Sequence, residues 1–441
     1  MQNKLFSLYA GLLALVFGGV LMHAPLSVWL GMLFPEQELL IKSWKEIILF
    51  FLFLIGLWLV VRHKLHQELR RDKLFLLITG YAGLHLLLLP IFQPPPAALL
   101  AGLAIDLRYL LFFVLVYIAV RWSLAWRQRF LWVAFGVSTL SLGFAVLQIF
   151  VLPKDILAYI GYSKATIAPY LTVDNNPDYI RINGTFRGPN PLGAFGVMVM
   201  SLLAAAGIKA RQFFASTTRR TWFMVTLVAS VCIIYASYAR SALVAAVVAL
   251  GSLLLLSLPR KTAFRALAVM AGTLAVLALG IFAARETSFV QHVILHEDPE
   301  GKSPISSNEG HIESLADGLR RMIQQPLGAG PGSTGSASLF TDEPVIIENH
   351  YLFVAHESGW LGVGLFLMIF GMVIWRLYRQ RHDWLALGLC ASGVGLAVIG
   401  IFLPVWADDT ISLLWWGLAA IALASAKGGE YGQESTNQKA A

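Results

Sequence analysis

The sequence predicts an all-α polytopic membrane protein with about twelve transmembrane helices, both termini on the inner face and a large structured outer loop before the tenth span. Three observations carry that prediction. Of 441 residues, 57% are hydrophobic and 13% charged, where soluble domains hold roughly half and a quarter. The apolar residues are bunched into runs of about 17–25, the length a helix needs to cross a hydrocarbon core of roughly 30 Å. The charges between those runs are sorted by sign, as membrane insertion requires.

The spans fall near 8–33, 47–61, 74–91, 98–120, 130–152, 191–208, 222–238, 241–258, 266–284, 351–375, 384–404 and 410–426. The first run is too long for a cleavable leader, lacks a small-x-small exit and is followed by many further spans, so it is read as an anchor. With the N-terminus inside, the inner segments 62–73, 121–129, 209–221, 259–265, 376–383 and the two termini hold 21 of the 33 Lys+Arg and 5 of the 25 Asp+Glu. The positive-inside rule therefore gives N-in, C-in, and the net charge of +8 records topology. No basic stripe with interleaved aromatics accompanies it, so nucleic acid is not expected as a partner. Cys232 and Cys390 both lie inside apolar runs, which leaves no disulfide framework, no metal knuckle and no paired thiol nucleophile. No cofactor or metal is expected.

Residues 1–426 read as one transmembrane domain, and 427–441 as a polar, disordered inner tail. No internal repeat is visible, which counts against transporters built from inverted halves. Two outer segments, 153–190 and 285–349, are long, and such loops are usually functional. The second contains an amphipathic stretch, Ile312, Leu315, Leu319, Met322 and Ile323, closed by Pro326 and a glycine-rich run. This reads as a short helix packed on the membrane body.

Four outer segments carry residues suited to chemistry. RINGTFRGPNPLGAFG, Arg181 to Gly196, places Arg181 and Arg187 beside a tight Pro-Asn-Pro turn that includes Asn190. Arg240 sits in an almost loopless hairpin after Tyr238, where a charge at the bilayer edge must be paired, hydrated or functional. His311 begins the amphipathic stretch, which ends in PLGAGPG at 326–332. Glu348 and His350 open the segment ENHYLFVAHESGWLG, 348–362. Each has an ordinary alternative: snorkelling arginines, a solvated loop histidine, a carboxylate complementing a helix dipole. Together they are complementary to one ligand. Arginines fixed at the membrane edge suit a diphosphate, a carboxylate or imidazole nearby suits deprotonation of a hydroxyl, and a diphosphate at the outer leaflet implies a lipid-linked substrate.

The order of these segments resembles the superfamily of O-antigen ligases and O-antigen polymerases. The resemblance rests on RxxGTFxxPNxLG at 181–193, the Arg-Ser pair at 240–241, PLGAGPG at 326–332 and ENHYLxxxxExGxxG at 348–362, over roughly the C-terminal 60% of the chain. It implies a metal-independent, inverting glycosyltransferase of the bacterial inner membrane whose site faces the periplasm. Its substrate would be an undecaprenyl-diphosphate-linked oligosaccharide, and its partners a glycan or lipid acceptor, membrane lipids, a chain-length regulator and a flippase. Arg240 matches an arginine of the ligases. Where the ligases carry a second arginine, this chain has His311; where they carry a histidine, it has Glu348, with His350 two residues off register. The coupled change suggests Glu348 as general base, His311 orienting it or touching phosphate, and Arg240, Arg187, Arg181 and Asn190 on the donor. His350 is the alternative base. The two departures favour polymerase over ligase. A flippase or transporter is the competing class, but it should place several ionisable residues at mid-bilayer depth, and only Asp106 and Arg108 do so clearly.

Overall fold

The computed structural model describes residues 2–210, 214–295 and 307–426. The expected tail, 427–441, and residues 296–306 of the second long loop lie outside the described residues. Within them, eleven helices are long and apolar enough to cross a bilayer. In lipid every backbone N–H and C=O must be satisfied within the segment, so apolar runs of this length become helices. Their ends are set by local chemistry: Asp72, Asp383 and Asn349 cap Lys73–Phe92, Trp384–Phe402 and His350–Arg379 through their side chains, and Pro96 and Pro189 open two others in the first turn, where a missing N–H costs nothing. The protein is an all-α polytopic membrane protein.

The twelfth expected span is Asp409–Ser425, a helix of 17 residues, which covers only about 25 Å at 1.5 Å per residue. It lies at the centre of the bundle, against Pro96–Trp122, with Trp384–Phe402, Pro189–Lys209 and His350–Arg379 around it. Trp406, Trp415 and Trp416 form the aromatic heart of this core, with ring centroids 5.2–5.9 Å apart. Arg260–Ala283 is at the opposite extreme: almost its whole surface is exposed.

Because the spans alternate in direction, the segments 34–43, 93–95, 151–188, 237–239, 284–295, 307–349 and 403–408 gather at one end of the bundle, here called the long-loop end. The other end carries the inward-sorted arginines, three of them in ion pairs among the described residues: Arg376 with Asp72 at 2.5 and 2.9 Å, Arg121 with Glu68 at 3.1 Å and Arg127 with Asp383 at 3.3 Å.

Three features were not anticipated. The first span is broken by a 3-10 turn at Val20–Met22, which turns His23 inward. The loop 151–188 contains a small antiparallel hairpin, Leu171–Val173 with Asn176–Arg181. The expected loop helix forms at Ser307–Gln324, but its apolar stripe does not face the protein. Gly318 packs on Ile347 and Leu352 instead, while Ile312, Leu315, Leu319 and Ile323 are exposed.

Candidate functional site

The arginine turn is held rigidly from below. Gly184 adopts a left-handed backbone, φ 56°, so that its N–H donates to Gln148 Oε1 at 2.9 Å, while the Ser141 and Thr185 hydroxyls meet at 2.6 Å. Phe186 is fully buried against Phe195. With the turn fixed at these points, Arg181 and Arg187 diverge. The Arg181 Nε donates to the Ser237 carbonyl at 2.8 Å and its Nη2 to Asn190 Oδ1 at 2.6 Å. Arg181 is thereby docked on the hairpin that carries Arg240, whose own Nη1 donates to the Leu295 carbonyl at 3.4 Å. Burial, with Arg240 close by, pulls the Arg181 guanidinium down to about 10 despite the opposing carboxylate of Asp174; it remains a cation at neutral pH. Arg187 is exposed, and among the described residues it makes no hydrogen bond or ion pair.

His311 and Glu348, 37 positions apart in sequence, are brought into contact. The His311 Nδ1 lies 2.5 Å from Glu348 Oε2, each side chain 40% exposed. The backbone holds them there: Glu348 N–H donates to Ser314 Oγ at 3.0 Å, and Asn349 both caps the following helix and donates to the Ile401 carbonyl at 2.7 Å. His350, two residues further on, is turned into the bundle. It is buried, its two ring nitrogens have no partner among the described residues, and its ring stacks beside Phe353 and meets Phe366 edge-on.

Sequence reasoning missed two polar clusters. In the first, Glu357, fully buried in the span that starts at His350, accepts the backbone N–H of Gly332 at 3.0 Å and of Thr334 at 3.3 Å. Its carboxyl group neighbours that of Asp106, which in turn meets His85 Nε2 at 3.2 Å. The PLGAGPG segment is thereby bolted into the bundle. At Gly359 the helix leaves helical geometry, with φ 67°, and Trp360 N–H donates to the Pro326 carbonyl at 2.9 Å. A Cβ on Gly359 would run into that same carbonyl, and one on Gly332 into the carbonyl of Ala98. The glycines are therefore points where backbone meets backbone.

The second missed cluster is a polar recess. Lys45 Nζ sits 2.9 Å from Asp409 Oδ2 and 3.1 Å from His23 Nε2; Arg108 reaches Glu46 at 3.2 Å and donates to the Ala407 carbonyl at 2.6 Å. Arg108 lies twelve residues down the helix from Pro96, and its guanidinium ties the segment 403–408 to the first turn of Trp44–Arg62. Buried charges are tolerated only when paired in this way. Asp408 caps the central helix through Ile411 N–H at 2.9 Å; burial first, and the adjacent Asp409 second, push its carboxyl up to about 6 against the pull of Arg187 and Arg108. A signal was available: Lys45-Glu46 and Asp408-Asp409 are charge pairs at span ends of one bundle face. Among the described residues, no group of three His, Cys, Asp or Glu side chains is arranged to hold a metal ion.

Residues 225–367, about a third of the chain, match the family model described as O-antigen ligase. The matched stretch contains Arg240, His311, Glu348, His350 and Glu357. It supports the O-antigen ligase and polymerase superfamily for this chain and, in coarse terms, a multi-pass membrane glycosyltransferase of a kind that acts on lipid-linked glycans and their acceptors. A search of curated proteins found no match.

Proposed function

We propose that this protein polymerises O-antigen or exopolysaccharide repeat units at the periplasmic face of the bacterial inner membrane, taking undecaprenyl-diphosphate-linked glycan as donor. The observation that carries the reading is the His311–Glu348 contact, a carboxylate and an imidazole 2.5 Å apart and both open to solvent, at the same end of the bundle as the arginine turns.

In the reaction the acceptor sugar hydroxyl attacks the anomeric carbon of the donor glycan. Glu348 takes the hydroxyl proton as the new C–O bond forms. The bond from the anomeric carbon to the phosphate oxygen breaks, and its electron pair leaves with the diphosphate. Arg187, exposed and with no hydrogen bond or ion pair among the described residues, holds that developing charge together with Arg240; a guanidinium presents a planar fork that matches phosphate oxygens. Arg181 and Asn190, bonded to each other, keep the two arginine-bearing turns in register. His311 is a positioning residue: its Nδ1 fixes the Glu348 carboxylate. The burial and aromatic packing of His350 favour Glu348 over it as the base.

The test is glycan transfer by purified protein in proteoliposomes loaded with undecaprenyl-diphosphate-linked repeat units. Longer lipid-linked glycans are expected from the wild type, and Glu348→Gln lowers the rate by about 10²–10⁴, the usual contribution of a general base. Full activity in Glu348→Gln removes the proposed base, and loss in His350→Ala with a normal melting profile shifts the role to His350. Transfer only when lipid A core is supplied identifies a ligase, the activity in the matched family's description; movement of label with no new glycosidic bond overturns glycosyl transfer altogether.

A further inference from the structure

The helix Ser307–Gln324 is packed inside out. Toward the protein it presents Ser314, Gly318 and Met322: Ser314 accepts from Glu348 N–H, Gly318 touches Ile347 and Leu352, and the Met322 carbonyl accepts from the Trp360 indole at 2.7 Å. Its large aliphatic residues point away, with Ile312 67%, Leu315 46%, Leu319 49% and Ile323 63% exposed. At 100° per residue these four fall on one face, and Glu313, Arg320 and Gln324, also exposed, on a second face about a quarter-turn away. The helix thus has a protein side, a charged side and an apolar side, and two of the three are open. A helix on the water-facing surface of a protein would bury its apolar stripe against the core. Contiguous exposed apolar patches mark contact with a membrane or a partner.

We propose that the apolar side of this helix is covered by the acyl chains of the lipid leaflet at the long-loop end, so that the helix lies in the membrane interface with its charged side in water. The case for lipid rests on continuity. The exposed stripe runs on through Leu327, 63% exposed, to Trp360 and Leu361, 53% and 61% exposed, and the last two belong to a membrane-spanning helix. Trp360 is the hinge between the two surfaces, an exposed indole whose N–H is bonded to the end of the loop helix; such amphipathic rings favour the headgroup level. An interfacial helix has this separation of a charged and an apolar face. The charged side carries both signs, so apolar burial holds the helix in place.

The placement has a consequence for the His311–Glu348 pair. His311 precedes the first residue of the apolar stripe, so both groups are held at the depth of the lipid headgroups, where the first sugar of a lipid-linked glycan emerges. That consequence rests on the function proposed above; the placement does not.

The test is site-directed spin labelling in proteoliposomes. The chain has two cysteines, and Cys390 is buried, so Cys232→Ala gives a background in which single cysteines are placed at 312, 315, 319 and 323 and, as controls, at 313, 320 and 324. The expected result is a collision rate with oxygen several-fold above that with a water-soluble nickel chelate at the first four positions, and the reverse at the controls. Nickel access at all seven positions overturns the proposal in favour of a water-exposed face. Exclusion of both reagents from 315 and 319 overturns it in favour of a covering protein, either a second copy or a partner. Leu319 replaced by a photoreactive phenylalanine in the otherwise native chain gives an independent readout: a phospholipid adduct is expected, and a protein adduct refutes the lipid assignment. Absence of glycan transfer by the wild-type protein, with the accessibility pattern as expected, would overturn the reaction and leave the placement standing.

Discussion

Glu357→Ala removes the carboxylate that ties the glycine-rich turn to the bundle. Two backbone donors, Gly332 N–H and Thr334 N–H, then lose their acceptor in a site closed to water. Each orphaned buried donor costs about 1–3 kcal/mol, so the turn loses about 2–6 kcal/mol. Glu357→Gln is the informative control. Its one oxygen still accepts from one of the two N–H groups and its amide donates to Asp106, so about half of the loss is expected, about 1–3 kcal/mol. The assay is unfolding free energy in mixed micelles, with glycan transfer measured on the same samples. Transfer should fall in the order wild type, Gln, Ala, because the tied turn leads directly into the segment that ends at Glu348. If the Ala protein unfolds within about 0.5 kcal/mol of wild type, the range of an unremarkable surface change, the two hydrogen bonds do not hold the turn and the account of Glu357 is wrong.

Two further predictions concern the arginine turn and the recess. Arg181→Lys keeps the charge but cannot bridge Ser237 and Asn190 at once; loss of one hydrogen bond to a charged group, about 1.5–3 kcal/mol, predicts destabilisation of that size, read in the same unfolding assay, with weaker retention of lipid-linked donor. Asp408 has a folded value near 6 against an ordinary 3.8, so between those values the folded chain binds more protons than the unfolded one, and stability falls as pH rises through the window. Asp408→Asn keeps a cap on the central helix and should flatten that slope; melting profiles from pH 4 to 7 that decline equally in both proteins would refute the assignment.

The spans were legible because their signal is local: a run of apolar residues of fixed length can be only a helix in lipid. The His311–Glu348 contact was also within reach, because both residues stand in motifs that the sequence singles out, and the structure joins them. The facing of Ser307–Gln324 was not. Periodicity gives the existence of an apolar stripe, and the same stripe serves a core or a lipid surface equally well. Glu357 stands in the motif at 348–362, but its role was hidden, since a carboxylate in an apolar run has no visible partner until a backbone turn 25 residues earlier folds onto it. The recess was hidden by distance in the chain: Arg108 and the Ala407 carbonyl are 299 residues apart, and no local pattern links them.

The central position of Asp409–Ser425 bears on how the protein is made. Its principal neighbour, Pro96–Trp122, leaves the ribosome about 290 residues earlier, which at roughly 5–20 residues per second is an interval of about 15–60 s. Throughout that time the earlier helices stand around a place that is still unfilled, with Arg108 lacking the Ala407 carbonyl and Lys45 lacking Asp409. This helix therefore joins the bundle after the neighbours it packs against, and its arrival brings the Ala407 carbonyl to Arg108 and Asp409 to Lys45.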